Sequence, residues 1–143
     1  MKILKFFAVF ALCAAACVAL VSAAPAAQGP AIKFDSKDHD FGTIGAEGGP
    51  VSHTFTFTNT GSAPLIIVSA TASCGCTRPE YTTEPVKPGK KGTIKVTYLP
   101  SGQPLGEFGK NVRVRTNAGG RRETLKISGV IIPGDKKPAE RQQ

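Results

Sequence analysis

Tryptophan is absent from this chain, histidine and tyrosine occur twice each, and aromatic residues make up only 7%. Helical periodicity is missing beyond the N-terminal segment, as is any internal repeat. No Gly-x-Ser-x-Gly, P-loop or His-Glu-x-x-His pattern occurs, and the glycine-rich stretches are not followed by helices that would complete a phosphate cradle. Beyond residue 30 no apolar run is long enough to span a bilayer. Cysteine is scarce as well: of four, Cys13 and Cys17 lie in the N-terminal segment, leaving Cys74 and Cys76. These absences remove the usual constellations of acid, base and nucleophile. Without aromatics interleaved among basic residues, single-stranded nucleic acid is a poor fit too.

What is present begins with an export signal. Lys2 and Lys5 precede an almost wholly apolar stretch from Ile3 to Leu20, and Val21-Ser22-Ala23 supplies small residues for cleavage after Ala23. Two other readings stand beside it. Cys17 follows Ala14-Ala15-Ala16, a poor lipoprotein box, and Phe6 to Ala27 is long enough to act as an uncleaved anchor. The expected organisation is a signal peptide at 1–23, a small-residue linker at 24–30, one domain at 31–132 and a disordered polar tail at 133–143. Without the signal the chain carries 16 basic and 10 acidic residues, a net charge of +6. That balance favours association with anionic surfaces.

Period-2 alternation dominates the rest. Val51, His53, Phe55 and Phe57 share one face of a strand and Ser52, Thr54, Thr56 and Thr58 the other. Asn59-Thr60-Gly61-Ser62 ends it. Leu65 to Val68 reads as a buried strand continuing to about Ala72, and Ile94, Val96 and Tyr98 mark another inward face. Phe108, Val112 and Val114 form the next, returned by Leu125, Ile127 and Ile131 after the Asn117-to-Gly120 hairpin loop. Two shorter strands are expected at 31–35 and 38–44. About seven short strands punctuated by turns define an all-β chain, an immunoglobulin-like β-sandwich, with a closed barrel as its rival.

The order Phe55-Thr56-Phe57-Thr58-Asn59-Thr60-Gly61, Pro64-Leu65-Ile66-Ile67, Ser73-Cys74-Gly75-Cys76-Thr77 and Pro85-Val86-Lys87-Pro88-Gly89 is distinctive. So are Gly92 to Val96, Thr116-Asn117 and Leu125 to Gly129. Together, across Phe34 to Val130, they resemble the bacterial domain-of-unknown-function family 1573, a branch of the Ig-like group with Hydin-type, major-sperm-protein and PapD-like modules. The resemblance implies an Ig-like fold and an exported setting. It implies no activity.

Four groups of residues are candidates for function. His53 reads as a core or core-edge residue. Asp35, Asp38, His39 and Asp40 form an acidic knot that reads as a solvated turn between two strands, with cation binding as the alternative. Arg113 and Arg115 share the outer face of one strand, and Arg122 and Lys126 that of the next; a hairpin would align them in a positive strip able to bind anionic lipid or acidic glycan. Cys74-Gly75-Cys76 is the one chemically suggestive motif. Residues i and i+2 of a straight strand stand about 6.6 Å apart, too far for a comfortable disulfide. Gly75 and the following Thr77-Arg78-Pro79 therefore suggest a loop, in which a strained, solvent-reachable and easily reduced pair would form. Arg78 nearby would favour thiolate.

The expected function is that of a non-enzymatic interaction module, exported to the periplasm or cell surface. Its partner would be a protein, an envelope glycan or another copy, with no cofactor and no nucleic acid. The alternative is thiol redox or copper(I) handling by Cys74 and Cys76, since soft thiolates bind copper(I) with few ligands.

Overall fold

The computed structural model describes residues 29–135. The signal segment with Cys13 and Cys17, and most of the tail from residue 133 onward, lie outside the described residues. Eight strands run through the rest: β1 (Ile32–Phe34), β2 (Asp38–Gly45), β3 (Val51–Asn59), β4 (Ile67–Ala72), β5 (Thr77–Tyr81), β6 (Lys91–Tyr98), β7 (Gly106–Thr116) and β8 (Arg122–Ile132). They form two four-stranded sheets, β1-β3-β6-β5 and β2-β8-β7-β4, packed as an Ig-like sandwich.

The inward halves of the alternating strands meet between the sheets. Phe55, Phe57, Ile94, Val96 and Tyr98 from one sheet are fully buried against Ile44, Val112, Val114, Leu125, Ile127 and Ile131 from the other. Burial of these side chains is the main driving force for the fold. Gly92 has no side chain because the Phe57 ring occupies the space a Cβ would need.

The chain changes sheets between β1 and β2. β1 pairs antiparallel with β3, whereas β2 pairs in parallel with β8. A bulge interrupts β2 between Asp40 and Thr43. There Gly42 adopts φ 66° and donates its N–H to Asp40 Oδ1 at 2.8 Å.

Asn59, at the end of β3, is fully buried and ties three segments together. Its Nδ2 donates to the carbonyls of Ala63 and Val86, both at 2.8 Å, and its Oδ1 accepts from Gly61 N at 2.9 Å and Ala31 N at 3.4 Å. A side chain with two donors and an acceptor is thus satisfied without water.

Three expectations require correction. Thr77-Arg78-Pro79 does not leave the sheet: it opens β5, an edge strand of the first sheet, and an edge tolerates proline. This strand raises the count from about seven to eight. The segment Leu65 to Val68 is not uniformly buried. Leu65 makes an isolated bridge to Val86, and Ile66 and Val68 are exposed by 39% and 53%. Finally, Asp38, His39 and Asp40 lie inside β2, in line with the strand expected at 38–44 and not in the acidic turn, with the His39 side chain pointing inward.

Candidate functional site

The outer face of the β2-β8-β7-β4 sheet collects the basic residues. Period 2 along β7 buries Val112 and Val114 and exposes Asn111, Arg113 and Arg115; along β8 it buries Leu125 and Ile127 and exposes Arg122, Thr124 and Lys126. Register then decides which side chains meet. Arg115 stands directly opposite Arg122 on one side and Ser69 on the other. Arg113 lies between Thr124 and Thr71. Like charges placed directly across a strand pair are destabilising. The ion pairs among the described residues, Lys37–Glu123 and Lys91–Asp35, involve none of these arginines. Lys126 stands apart from the trio, in register with Asn111 and, across the parallel pair, with Asp38.

Two shallow depressions mark this face. One of about 350 Å³ lies where β4 ends, lined by Thr71, Ala72, Ser73, Asn111 and Arg113. A second of about 500 Å³ lies over Gly109 and Ser128, walled by Asp38, Asp40, Lys110 and Lys126. Neither was apparent from sequence, because each joins residues of different strands. The hydroxyls of Ser69 and Thr71 beside the arginines were missed for the same reason.

The two histidines meet across the gap between the sheets. The rings of His39 and His53 stack with centroids 3.6 Å apart and planes 7° from parallel. Phe41 and Phe55 close the ends edge-on, each with centroids 4.7 Å from its histidine. Burial lowers the pKa of His39, opposed by the carboxylate of Asp40. Burial lowers that of His53 too, and the charge of a protonated His39 lowers it further. Alternation correctly placed His53 at the core edge. The same rule applied to Asp38-His39-Asp40 would have turned His39 inward as well.

Cys74 and Cys76 occupy the turn from β4 to β5 and are joined in a disulfide with Cα atoms 5.3 Å apart, closer than adjacent same-face residues of a straight strand. Both are half-buried, and the Thr77 hydroxyl lies 3.6 Å and 3.8 Å from their sulfurs. In the core, Tyr98 stacks on Phe108 at 4.2 Å while its buried hydroxyl lacks a hydrogen-bond partner among the described residues. Burial raises its pKa.

Among the described residues no three His, Cys, Asp or Glu side chains converge as metal ligands, and no helix is long and apolar enough to cross a membrane. Fold and surface together define an Ig-like β-sandwich module bearing on one sheet an arginine cluster that forms no ion pair among the described residues. The model of the family described as "Protein of unknown function (DUF1573)" matches residues 32–131, and the chain belongs to that family.

Solved structures agree on the fold. A protein of unknown function from Porphyromonas gingivalis W83 is similar at TM-score 0.62 and 17% identity, over 78% of this chain and 51% of that one. The chain therefore spans about half the length of that relative. The ASH / PapD-like domain 7 of human CEP192 is similar at TM-score 0.56 and 14% identity, over 82% of this chain and 94% of that one. The CupB2 chaperone of Pseudomonas aeruginosa is similar at 0.51 and 14%, over 69% and 55%. No curated protein sequence matches.

Proposed function

We propose that this protein is an exported, non-enzymatic interaction module of the bacterial envelope that holds an anionic partner against the outer face of the β2-β8-β7-β4 sheet. The observation that carries this reading is the convergence of Arg113, Arg115 and Arg122 without a neutralising carboxylate among the described residues. Arg115 and Arg122 repel each other across the strand pair, and a bound anion relieves that repulsion. Export rests on the charged, apolar and small-residue pattern of residues 1–23. The likeness in fold to the CupB2 chaperone fits a module acting through its surface.

Exposed pairs with carboxylates contribute about 0.2–1 kcal/mol each, so three arginines account for about tenfold in affinity. The test is a salt titration of binding to immobilised polyglutamate, comparing wild type with the triple variant Arg113→Gln, Arg115→Gln, Arg122→Gln. Salt-sensitive binding weakened about tenfold in the variant is expected. Identical curves, or no binding at low salt, refute the basic face. Intact mass of envelope-recovered protein beginning at Ala24 tests export, and a full-length cytosolic product refutes it.

The copper(I) reading has no structural support of its own. With Cys74 and Cys76 joined, two thiolates appear only after two-electron reduction.

A further inference from the structure

A sandwich of two four-stranded sheets presents four edge strands, here β1, β5, β2 and β4. Exposed edges invite pairing with other chains, and proteins usually blunt them with shortness, charge, proline or bulges. β1 has only three residues and carries Lys33. β5 contains Arg78, Pro79 and Glu80. β2 is broken by its bulge at Gly42 and carries Asp38 and Asp40. β4, of sequence Ile-Val-Ser-Ala-Thr-Ala, has no charge and no proline. Its bulge falls between Ile67 and Ser69 and leaves 69–72 in regular register with β7. The apolar side chains of Ile66 and Val68 are exposed at its start.

The hydrogen-bonding sense of this edge follows from the ladder. Ser73 N donates to Asn111 O at 2.9 Å, so Ser73 faces β7. Alternation in an antiparallel pair then turns the backbone groups of Thr71 and Ser69 toward β7, and those of Ala70 and Ala72 outward. Among the described residues no strand is hydrogen-bonded to β4 on that outward side, and no backbone hydrogen bond closes there on Ala70 or Ala72.

The neighbouring face specifies what would pair. A strand added beside β4 lies about 4.8 Å beyond it, and so about 9.6 Å from β7. Between the new strand and the arginines stand only Ser69 and Thr71, which are short. Arg113 and Arg115 therefore reach across them to carboxylates on the outer face of the added strand. The depression lined by Thr71, Ala72, Ser73 and Arg113 has room for one such side chain. The opposite face of the added strand meets the side of Ala70 and Ala72, which pack against the core.

We infer that β4 accepts an extended polypeptide segment of a partner protein, acidic on one face and apolar on the other, which adds as a fifth strand and places its carboxylates on Arg113 and Arg115. Main-chain hydrogen bonds supply affinity in this mode and alternate side chains supply specificity. The inference rests on the basic-face reading above and names the partner as polypeptide, against lipid or glycan.

The test uses the exported chain and a short synthetic peptide of alternating glutamate and valine, with a lysine–valine peptide and phosphatidylglycerol vesicles as comparisons. The acidic peptide is expected to bind at least tenfold more tightly than the lysine peptide and to slow amide exchange at Ala70 and Ala72. Ala70→Pro, which deletes an outward N–H without breaking the β7 ladder, is expected to weaken peptide binding about fivefold while leaving the salt sensitivity of the remaining binding, which the arginines set, unchanged. Exchange on the wild type keeps the question decidable should the proline variant misfold. Peptide binding that needs the arginines but leaves those amides unprotected overturns strand addition and spares the basic face. Tighter binding to vesicles than to the peptide overturns the polypeptide partner. Absence of binding to every probe overturns both readings.

Discussion

Replacing Asn59 by alanine tests the account of what closes one end of the sandwich. The side chain makes three well-placed hydrogen bonds, to Ala63 O, Val86 O and Gly61 N, at 2.8, 2.8 and 2.9 Å, and a longer one from Ala31 N. Each contributes about 1 kcal/mol net. The Val86 carbonyl keeps a second partner in Leu65 N, at 2.9 Å, which limits the penalty there. The expected loss is about 3 kcal/mol. With urea m-values of about 1–3 kcal/mol/M, that moves the unfolding midpoint down by about 1–3 M. For a domain of this size it lowers Tm by about 15 °C. Asn59→Asp should cost more, since it keeps the acceptor for Gly61 but sets carboxylate oxygens against the Ala63 and Val86 carbonyls. Urea unfolding of the three proteins, followed by circular dichroism, provides the measurement. A loss below about 1 kcal/mol in Asn59→Ala at unchanged m, or an Asp variant more stable than the Ala variant, would refute the reasoning.

The stacked histidines predict pH dependence. Their folded pKa values lie below the value near 6.5 of the unfolded chain, so the unfolded state binds more protons as pH falls. Stability should drop as pH falls through about 6.5 and level off below the folded pKa values, and His53→Phe should flatten that decline; parallel curves for the two proteins would argue against coupling. Tyr98→Phe removes a buried hydroxyl that lacks a partner among the described residues and should stabilise the fold by about 1 kcal/mol, whereas a destabilised variant would show that the hydroxyl is satisfied. We further propose that the Cys74–Cys76 disulfide is reducible in the folded state, because it lies half-exposed in a turn. Mild dithiol reductant followed by alkylation should label both cysteines without loss of β signal, and resistance short of unfolding would sink the idea.

Strand identity and sidedness were legible in the sequence because period 2 is a local property. Alternation along residues 51–58, 92–99, 108–115 and 122–131 names the inward set, and those residues form the core. The same alternation put Arg113, Arg115 and Arg122 on outward positions, so the basic face was readable one strand at a time. β5 was not, because Pro79 argues against a strand unless the strand is known to be an edge, and edge status is a fact about neighbours. Likewise, the inward turn of His39 follows from local alternation, but its partner does not. His39 and His53 belong to different sheets, and only the packing of one sheet on the other brings their rings together.

Sequence by itself determined an all-β chain, the inward and outward residues of its regularly alternating strands and its resemblance to a family. Tertiary structure decided the rest. It split β1 and β2 between two sheets, paired β2 in parallel with β8, set Arg115 against Arg122 and left β4 as the uncharged edge. Side-chain direction is written residue by residue in the backbone of a strand. Which strand lies beside it is settled by the burial of the whole core, to which every strand contributes at once.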